Sequence, residues 1–463
     1  MKFSKLLYPK DWNLFPLQEV CSRITSGGTP SRKNEDFYKN GSICWVKTKE
    51  LENYYIYNTE EKITLDAIKH SSAKILPQNT ILLAMYGATV GELGILSKEM
   101  SCNQACCALI VDTEKFDYRY VFYLLKLHKK EIQSLATGAA QQNLSAALIK
   151  DFTFGFPRLE RQKKIADILE SLDKKIQLNT QTTQTLEAIA QAIFKSWFVD
   201  FDPVHAKAAA LSEGKSEHEA NLAAMSVICG KDTSELNDTE YKALWQIAEA
   251  FPSEFVTNEQ FGEVPKEWEN TTLSEICSMQ NGYAFKSNEW TDSGIPVIKI
   301  GSVKPMIVDI ESNGFVSEEN EHIRSDFLLK QGDIVVGLTG YVGEVGRIPA
   351  GDKAMLNQRV AKFVPKKLDR ELSYYNFVYC LARQRTFKEY AELNAKGSAQ
   401  ANISTRELLN YPICLASLEV HKFFEIEINE LLYKILTNSQ ESKVLEKTRG
   451  LLLPKLLSGE IHL

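Results

Sequence analysis

The sequence predicts an α+β chain built twice over. Two similar mixed α/β domains, at residues 1–157 and 265–414, are separated by two long coiled-coil helices at residues 158–198 and 415–449, the whole forming a pseudo-twofold internal repeat. Three observations predict this: a duplication about 256 positions apart, a heptad seam after each copy, and a strongly acidic stretch, residues 199–264, between the first helix and the second domain.

The duplication begins where Pro9-Lys10-Asp11-Trp12 recurs, 256 positions on, as Pro265-Lys266-Glu267-Trp268. Leu17, Glu19, Val20 and Cys21 match Leu273, Glu275, Ile276 and Cys277, and Val90-Gly91-Glu92-Leu93-Gly94 matches Val342-Gly343-Glu344-Val345-Gly346. Asn103-Gln104 matches Asn357-Gln358, and Gly138-Ala139-Ala140-Gln141-Gln142-Asn143-Leu144-Ser145 matches Gly397-Ser398-Ala399-Gln400-Ala401-Asn402-Ile403-Ser404. So many ordered matches with so little drift mean two whole domains, because the period is far too long for a solenoid. Within each copy, β-rich runs at residues 43–46, 81–84, 296–300 and 334–336 are bounded by Gly, Asn and Pro, and helical stretches follow at 118–134 and 374–393.

After the first copy, Ile165, Leu169, Leu172, Ile176, Asn179, Thr183, Leu186, Ala190 and Ile193 step alternately by four and three. Phe424, Ile428, Leu431, Ile435, Asn438, Ser442, Leu445, Arg449 and Leu452 do the same after the second, at a constant offset of 259. This is the a/d spacing of a coiled coil, and the matched polar positions Asn179 and Asn438 are register-setting residues. Two matched seams in one chain predict that the helices pair with each other; the alternative is that each packs on its own domain. Gly450, just before Leu451-Leu452-Leu453-Pro454, predicts an end or kink there and a C-terminal tail at residues 450–463.

Composition bounds the class. The chain has 463 residues, 44% hydrophobic and 25% charged, with no apolar run of the ~18–20 residues needed to span a membrane and no signal-peptide core in its first ten residues. These features predict a cytoplasmic protein without membrane contact. Nine scattered cysteines, with no second pair at zinc-finger spacing beside Cys102, Cys106 and Cys107, predict reduced and mostly buried thiols. The net charge is −6, yet residues 199–265 hold 13 acidic and 4 basic residues, a net −9 that leaves +3 elsewhere. Residues 1–49 and 357–396 each hold 9 basic and 4 acidic residues. Local basic surface is what attracts phosphate, since screening acts within roughly 8–10 Å. The acidic connector, with helical patches at 205–228 and 239–251, is expected on an outer face or against a protein partner. No phosphate loop, dinucleotide-binding glycine motif, Asp/Asn-Pro-Pro-Tyr/Phe methyltransferase motif, nucleophile elbow or His-Glu-x-x-His pair is present.

Several strings resemble one family. Gly27-Gly28-Thr29-Pro30 lies early in the first domain, and Phe156-Pro157-Arg158-Leu159-Glu160-Arg161-Gln162 opens the first helix. Phe194-Lys195-Ser196-Trp197-Phe198-Val199-Asp200-Phe201-Asp202-Pro203 closes it, and Leu452-Leu453-Pro454-Lys455-Leu456-Leu457-Ser458-Gly459-Glu460-Ile461 ends the chain. Over its whole length the chain resembles the specificity subunits of type I restriction-modification systems. It departs from them in having Asn281-Gly282-Tyr283-Ala284 in the second domain, and no Glu-Gln pair where the second helix opens at Ala416-Ser417-Leu418-Glu419-Val420-His421.

The resemblance implies two target recognition domains, each reading half of a bipartite, asymmetric site in double-stranded DNA, and helices that pair antiparallel and set the unread spacer. It implies docking of two methylation subunits that use S-adenosylmethionine, and of restriction subunits that use ATP and Mg, with no cofactor bound by this chain. A helix of about 35 residues is roughly 50 Å long, enough to span one or more DNA turns of roughly 34–36 Å. The other readings are a coiled-coil scaffold that does not read DNA, and a stand-alone DNA methyltransferase or nuclease.

Base readout favours Arg, Lys, Asn and Gln, and phosphate contact favours cations, hydroxyls and glycine-loop amides. The DNA-binding candidates in the first domain are therefore Thr25, Ser26, Gly27, Gly28, Thr29, Ser31 and Arg32, then Lys47 and Thr48, Tyr86 and Thr89, and Gln141 and Asn143. In the second they are Asn281, Tyr283 and Lys286, Lys299 and Ser302, Thr339 and Tyr341, and Gln400 and Asn402. The two Val-Gly-Glu-x-Gly copies are expected to be structural turns, because they are identical where specificity should differ.

Overall fold

The structure, a computed structural model, describes residues 8–51, 54–137, 143–310, 314–397 and 400–463. The chain divides into two compact units: residues up to Asn179 together with 441–463, and residues 180–440. The boundary falls within both long helices, which run Leu159–Phe198 and Leu418–Leu457, 40 residues each.

In the first unit a five-stranded sheet has the order Cys21–Ser26, Cys106–Val111, Ile81–Ala84, Leu93–Leu96, Tyr55–Ile56. Its central strands are apolar on both faces because both faces are covered. Ile81 and Leu83 point into the core shared with the helix Tyr118–Leu127, while Leu82 and Ala84 point into a second core. A smaller sheet, Lys62–Ile63, Ile43–Val46, Ser101–Cys102, adjoins that second core. The antiparallel pair Asn13–Pro16 and Thr153–Phe156 joins the two ends of the domain.

The second unit repeats this order as Cys277–Asn281, Val360–Pro365, Ile334–Gly337, Val345–Arg347, Met306–Ile307, with Glu269–Thr272 and Pro412–Leu415 as its joining pair. Even the pairing sense is duplicated. Ile295–Ile298 runs parallel to Ala354–Leu356 as Ile43–Val46 does to Ser101–Cys102. The helical stretch within each domain is broken in two, at His128 in one copy and at Arg383 and Gln384 in the other.

Within each unit the segments of the two long helices lie antiparallel. In the first, Asp173 binds Arg449, and further along the amide of Asn179 donates to Glu441 at 2.8 Å and to Ser442 at 3.4 Å. In the second, the rings of Phe194 and Phe424 are 5.9 Å apart, and Phe198 stacks on His421 at 5.2 Å. In both, the partner number falls as the helix number rises.

The seam departs from a simple coiled coil. Ile165, Leu169, Asn179, Phe424, Ile428, Ile435 and Asn438 are buried, but Leu172, Ile176, Leu186, Leu431 and Leu445 are only half-buried. A second buried stripe faces the domains instead. Asp173 accepts from Tyr123 Oη at 2.8 Å, and Glu170 from Arg119 at 2.7 Å. Glu187 accepts from Tyr379 Oη at 2.8 Å and from Arg383 at 3.2 Å. Each helix packs on its neighbouring helix and on a domain at once, so burial is shared between two faces.

The expected break at Gly450 does not occur, and residues 450–457 are helix rather than tail. Pro454 would press on the carbonyl of the residue four before it, which is Gly450 itself, and Gly450 lies in open space. The gain is apolar: Leu453, Leu456 and Leu457 are buried in the core of the first unit beside Ile165 and Leu169.

The connector is three helices, Asp202–Ser212, Glu217–Cys229 and Asp238–Ala250, then a hairpin of Phe255–Asn258 with Gly262–Pro265 that its composition did not announce. The single helical patch expected at 205–228 is two helices, divided at Gly214, whose φ is +81°. Lys207 is buried and donates to the carbonyls of Ala248 and Phe251 at 3.1 and 2.6 Å, closing the helices on one another. All nine cysteines are unpaired, and all but Cys229 are buried.

Leu456→Ala should destabilise the first unit by about 2–4 kcal/mol in chemical denaturation, since its side chain is fully packed. No change would mean residues 450–457 do not belong to that core.

The second long helix also sets a pH dependence. Burial pushes Glu425 up to about 8 although it accepts from the amides of Asn376 and Phe377, and burial pushes His421 down to about 3. The Glu425 contribution is complete below its ordinary 4.5 and is lost as pH rises through 8, whereas that of His421 is complete above 6.5 and lost toward 3. The slopes oppose between 4.5 and 6.5. From 6.5 to 8 only Glu425 acts, so second-unit stability should fall by roughly 1–2 kcal/mol, and Glu425→Gln should abolish that fall in urea melts at stepped pH.

Candidate nucleic-acid interface

In each domain the candidate loops gather around one turn. In the first it is Asn103, Gln104 and Ala105, between the strands Ser101–Cys102 and Cys106–Val111. Gly27 lies so close that a Cβ there would sit 2.2 Å from the Asn103 carbonyl oxygen. The Asn103 amide donates to Val46 O at 2.9 Å, which brings in Lys47 and Thr48. The Met85 amide donates to Ala105 O at 2.8 Å, which brings in Tyr86 and Thr89. Asn143 bridges Tyr86. Gln141 lies outside the described residues.

The second domain repeats this around Asn357, Gln358 and Arg359. A Cβ on Gly282 would sit 2.1 Å from the Asn357 carbonyl oxygen, so Gly282 is the counterpart of Gly27 despite the different sequence around it. The Gln358 amide donates to Tyr283 O at 3.0 Å, and Asn281 reaches Thr405 Oγ1 at 3.4 Å. Thr339 Oγ1 donates to Asn402 Oδ1 at 2.6 Å, and the Gly340 amide to Ala401 O at 3.0 Å beside Gln400. A Cβ on Gly340 would lie 3.5 Å from Ile300, next to Lys299.

Several candidates are corrected at this level. The amides of Gly27 and Gly28 donate to Cys106 O and Cys102 O at 3.1 and 2.9 Å, so they cannot cradle a phosphate; the glycines are there for close backbone approach. Ser302 is fully buried and caps the turn begun by Lys299, so it cannot reach DNA. Lys47 is held by Glu60 at 2.9 Å and Glu61 at 3.2 Å. Thr25 accepts from Lys74 Nζ at 2.8 Å. Thr29 is half-buried and Ser31 exposed. Lys286 is exposed, its backbone amide held by Glu289 at 2.7 Å. The Val-Gly-Glu-x-Gly copies are turns, with Gly91 and Gly343 at φ +82° and +75°, and each Glu binds a helix lysine: Glu92 to Lys129 at 2.6 Å, Glu344 to Lys388 at 2.9 Å.

Charge is arranged differently in the two copies. In the first, Glu60 and Glu61 gather Arg32, Lys47 and Lys49. Hydrogen bonds from Lys49 and then Lys47 hold the exposed Glu60 down to about 2, and the bond from Arg32 lowers Glu61. In the second, Lys299 lies over the Trp290 ring at 4.2 Å. Arg324 lies over Tyr283 at 4.4 Å and donates to Tyr283 Oη at 3.1 Å, and also binds Glu289 and Asn320. Tyr86 and Tyr341 are exposed, Tyr341 at 65%. Among the described residues, no group of three or more His, Cys, Asp or Glu is placed to hold a metal ion, and no helix is long and apolar enough to cross a membrane.

Sequence reasoning gave no site role to the turn, Gln358 and Arg359 included, nor to Glu60, Glu61, Lys74 and Arg324. The turn had a signal, since Asn-Gln is duplicated; the others had none, because side chains from different loops meet only in the folded domain.

Twin mixed α/β domains with divergent loop tips, each packed on two long antiparallel helix segments, define a class of DNA specificity protein. The type I restriction modification DNA specificity domain matches residues 9–188 and 265–448, and the chain belongs to that family, as a specificity subunit concerned with DNA sequence recognition. It is 36% identical over 326 residues to the HindI specificity subunit of Haemophilus influenzae, covering 68% of this chain and 70% of that one. To the MjaIX specificity subunit of Methanocaldococcus jannaschii it is 26% identical over 466 residues, covering 98% and 94%. The crystal structure of a type I restriction-modification S subunit from M. genitalium shares the fold, with a TM-score of 0.55 at 18% identity and 98% of each chain covered.

Gly282→Ala should force the Asn357 turn to move, costing on the order of 1–3 kcal/mol, with altered DNA binding through the second domain only. Unchanged melting temperature and binding would show that the close approach is dispensable.

Proposed function

We propose that this chain reads a bipartite, asymmetric site in double-stranded DNA, one half per domain, and that the paired helices set the unread spacer. Two methylation subunits, using S-adenosylmethionine, and restriction subunits, using ATP and Mg, dock on it. The chain itself supplies no catalytic group, binds no cofactor and works in the cytoplasm. One observation carries the reading: two copies of one scaffold, matched down to the glycine wedged on the Asn103 and Asn357 carbonyls, end in different side chains. A duplicated scaffold with unlike tips suits recognition of two unlike half-sites.

The test is methylation mapping in a host carrying the complete system. Replacing residues 15–155 with the first domain of another specificity subunit should change one half-site and leave the other. Adding one heptad to both long helices adds about 10 Å of rod and should lengthen the spacer by about 3 base pairs, at roughly 3.4 Å per pair, with both half-sites intact. Altered half-sites with an unchanged spacer would refute the role given to the helices.

A further inference from the structure

Arg32 stands apart from the other cations near the two turns. Its guanidinium carbon lies 4.4 Å from the centroid of the Tyr38 ring and 5.1 Å from that of Trp45. Both rings are themselves fixed, Tyr38 by donating to Pro30 O at 2.7 Å and Trp45 by donating to Gly28 O at 3.0 Å. One nitrogen of Arg32 binds Glu61 at 2.7 Å. Glu61 also holds Lys47 at 3.2 Å, which ties the Arg32 loop to the loop beside the Asn103 turn. The side chain is nonetheless 54% exposed. A guanidinium held beside two aromatic rings and one carboxylate, and still half exposed, is placed to offer a planar acceptor pair its forked donors, and guanine O6 and N7 form such a pair in the major groove.

We propose, building on the two-domain reading above, that Arg32 reads a guanine in the half-site of the first domain, with Glu61 as its positioning residue. A phosphate contact needs no such placement: two aromatic rings set at 70° to each other and an ion-paired carboxylate hold the guanidinium in one position, which serves a base edge. The second domain places Arg324 in a like setting, over an aromatic ring and beside a carboxylate, but leaves it far less exposed. Arg324 is spent inside the protein on Tyr283, Glu289 and Asn320, and only 21% of its side chain is exposed. The two copies therefore differ in readout chemistry at the tip of one shared scaffold.

The experiment maps methylated sites in cells carrying the complete system with wild type, Arg32→Lys, Arg32→Ala or Glu61→Gln, alongside the exchange of residues 15–155 that assigns the half-sites. Arg32→Lys keeps the charge and the fold but not the two-pronged fork. The expected result is that preference for guanine at one position of the first domain's half-site falls about 10–100-fold in both Arg32 variants, with the other half-site unchanged. Glu61→Gln should relax the same single position. A half-site without guanine in wild type, an unchanged motif in Arg32→Ala, or an even loss at all positions with Arg32→Lys unimpaired would each overturn the assignment. The absence of any two-part motif in wild type would instead refute the two-domain reading on which it rests.

Discussion

Each domain core is completed by apolar side chains from both long helices, and this constraint shapes everything else in the molecule. In the first unit Ile165 and Leu169 come from the start of one helix and Leu453, Leu456 and Leu457 from the end of the other. In the second, Phe424, Ile428 and Ile435 come from a helix start and Phe194, Trp197 and Phe198 from a helix end. The start of each helix thus serves the domain that precedes it, and the end serves the other domain. Neither helix can leave its domain without exposing the apolar surface it supplies, at roughly 25 cal/mol per Å2 of apolar area. The buried carboxylates add direction to that adhesion. Asp173 and Glu187, each bound to a domain tyrosine and an arginine, would be costly to strand unpaired, so they pin the helix in one register.

On this base the candidate loops are free to differ. The turn at Asn103 and its copy at Asn357 are held by backbone hydrogen bonds and by glycines with no room for a Cβ, so neither depends on the identity of exposed side chains. What the loops carry outward diverges. The first domain gathers three cations on Glu60 and Glu61 and leaves Arg32 half exposed, whereas the second covers Arg324 between Tyr283, Glu289 and Asn320. A net charge of −6 coexists with DNA recognition because the acid is concentrated in the connector, away in sequence from both turns.

Much of the fold was legible in the residues. The duplication, the strands Ile43–Val46 and Ile81–Ala84, and the extent of the first long helix all rest on local pattern: repeated motifs, short β-rich runs bounded by Gly, Asn and Pro, and a heptad seam. Gly450 and Pro454 misled because their local penalty is small beside the burial of three leucines in a domain some 300 residues earlier in the chain. The candidate loops were found as loops, but Gly27, Gly28 and Ser302 had their polar groups already committed, which no single-sequence pattern discloses.

By itself the sequence determined the class: two copies of one α/β domain, two heptad helices, an acidic link and none of the catalytic motifs sought. Only the tertiary structure decided which cations are free, which glycines are wedges and which helix face meets which partner. The reason is physical. Periodicity and turn chemistry act between near neighbours and are written along the chain, whereas an ion pair between Arg32 and Glu61, or a leucine from the last helix in the first core, joins groups whose separation in sequence carries no signal of their contact.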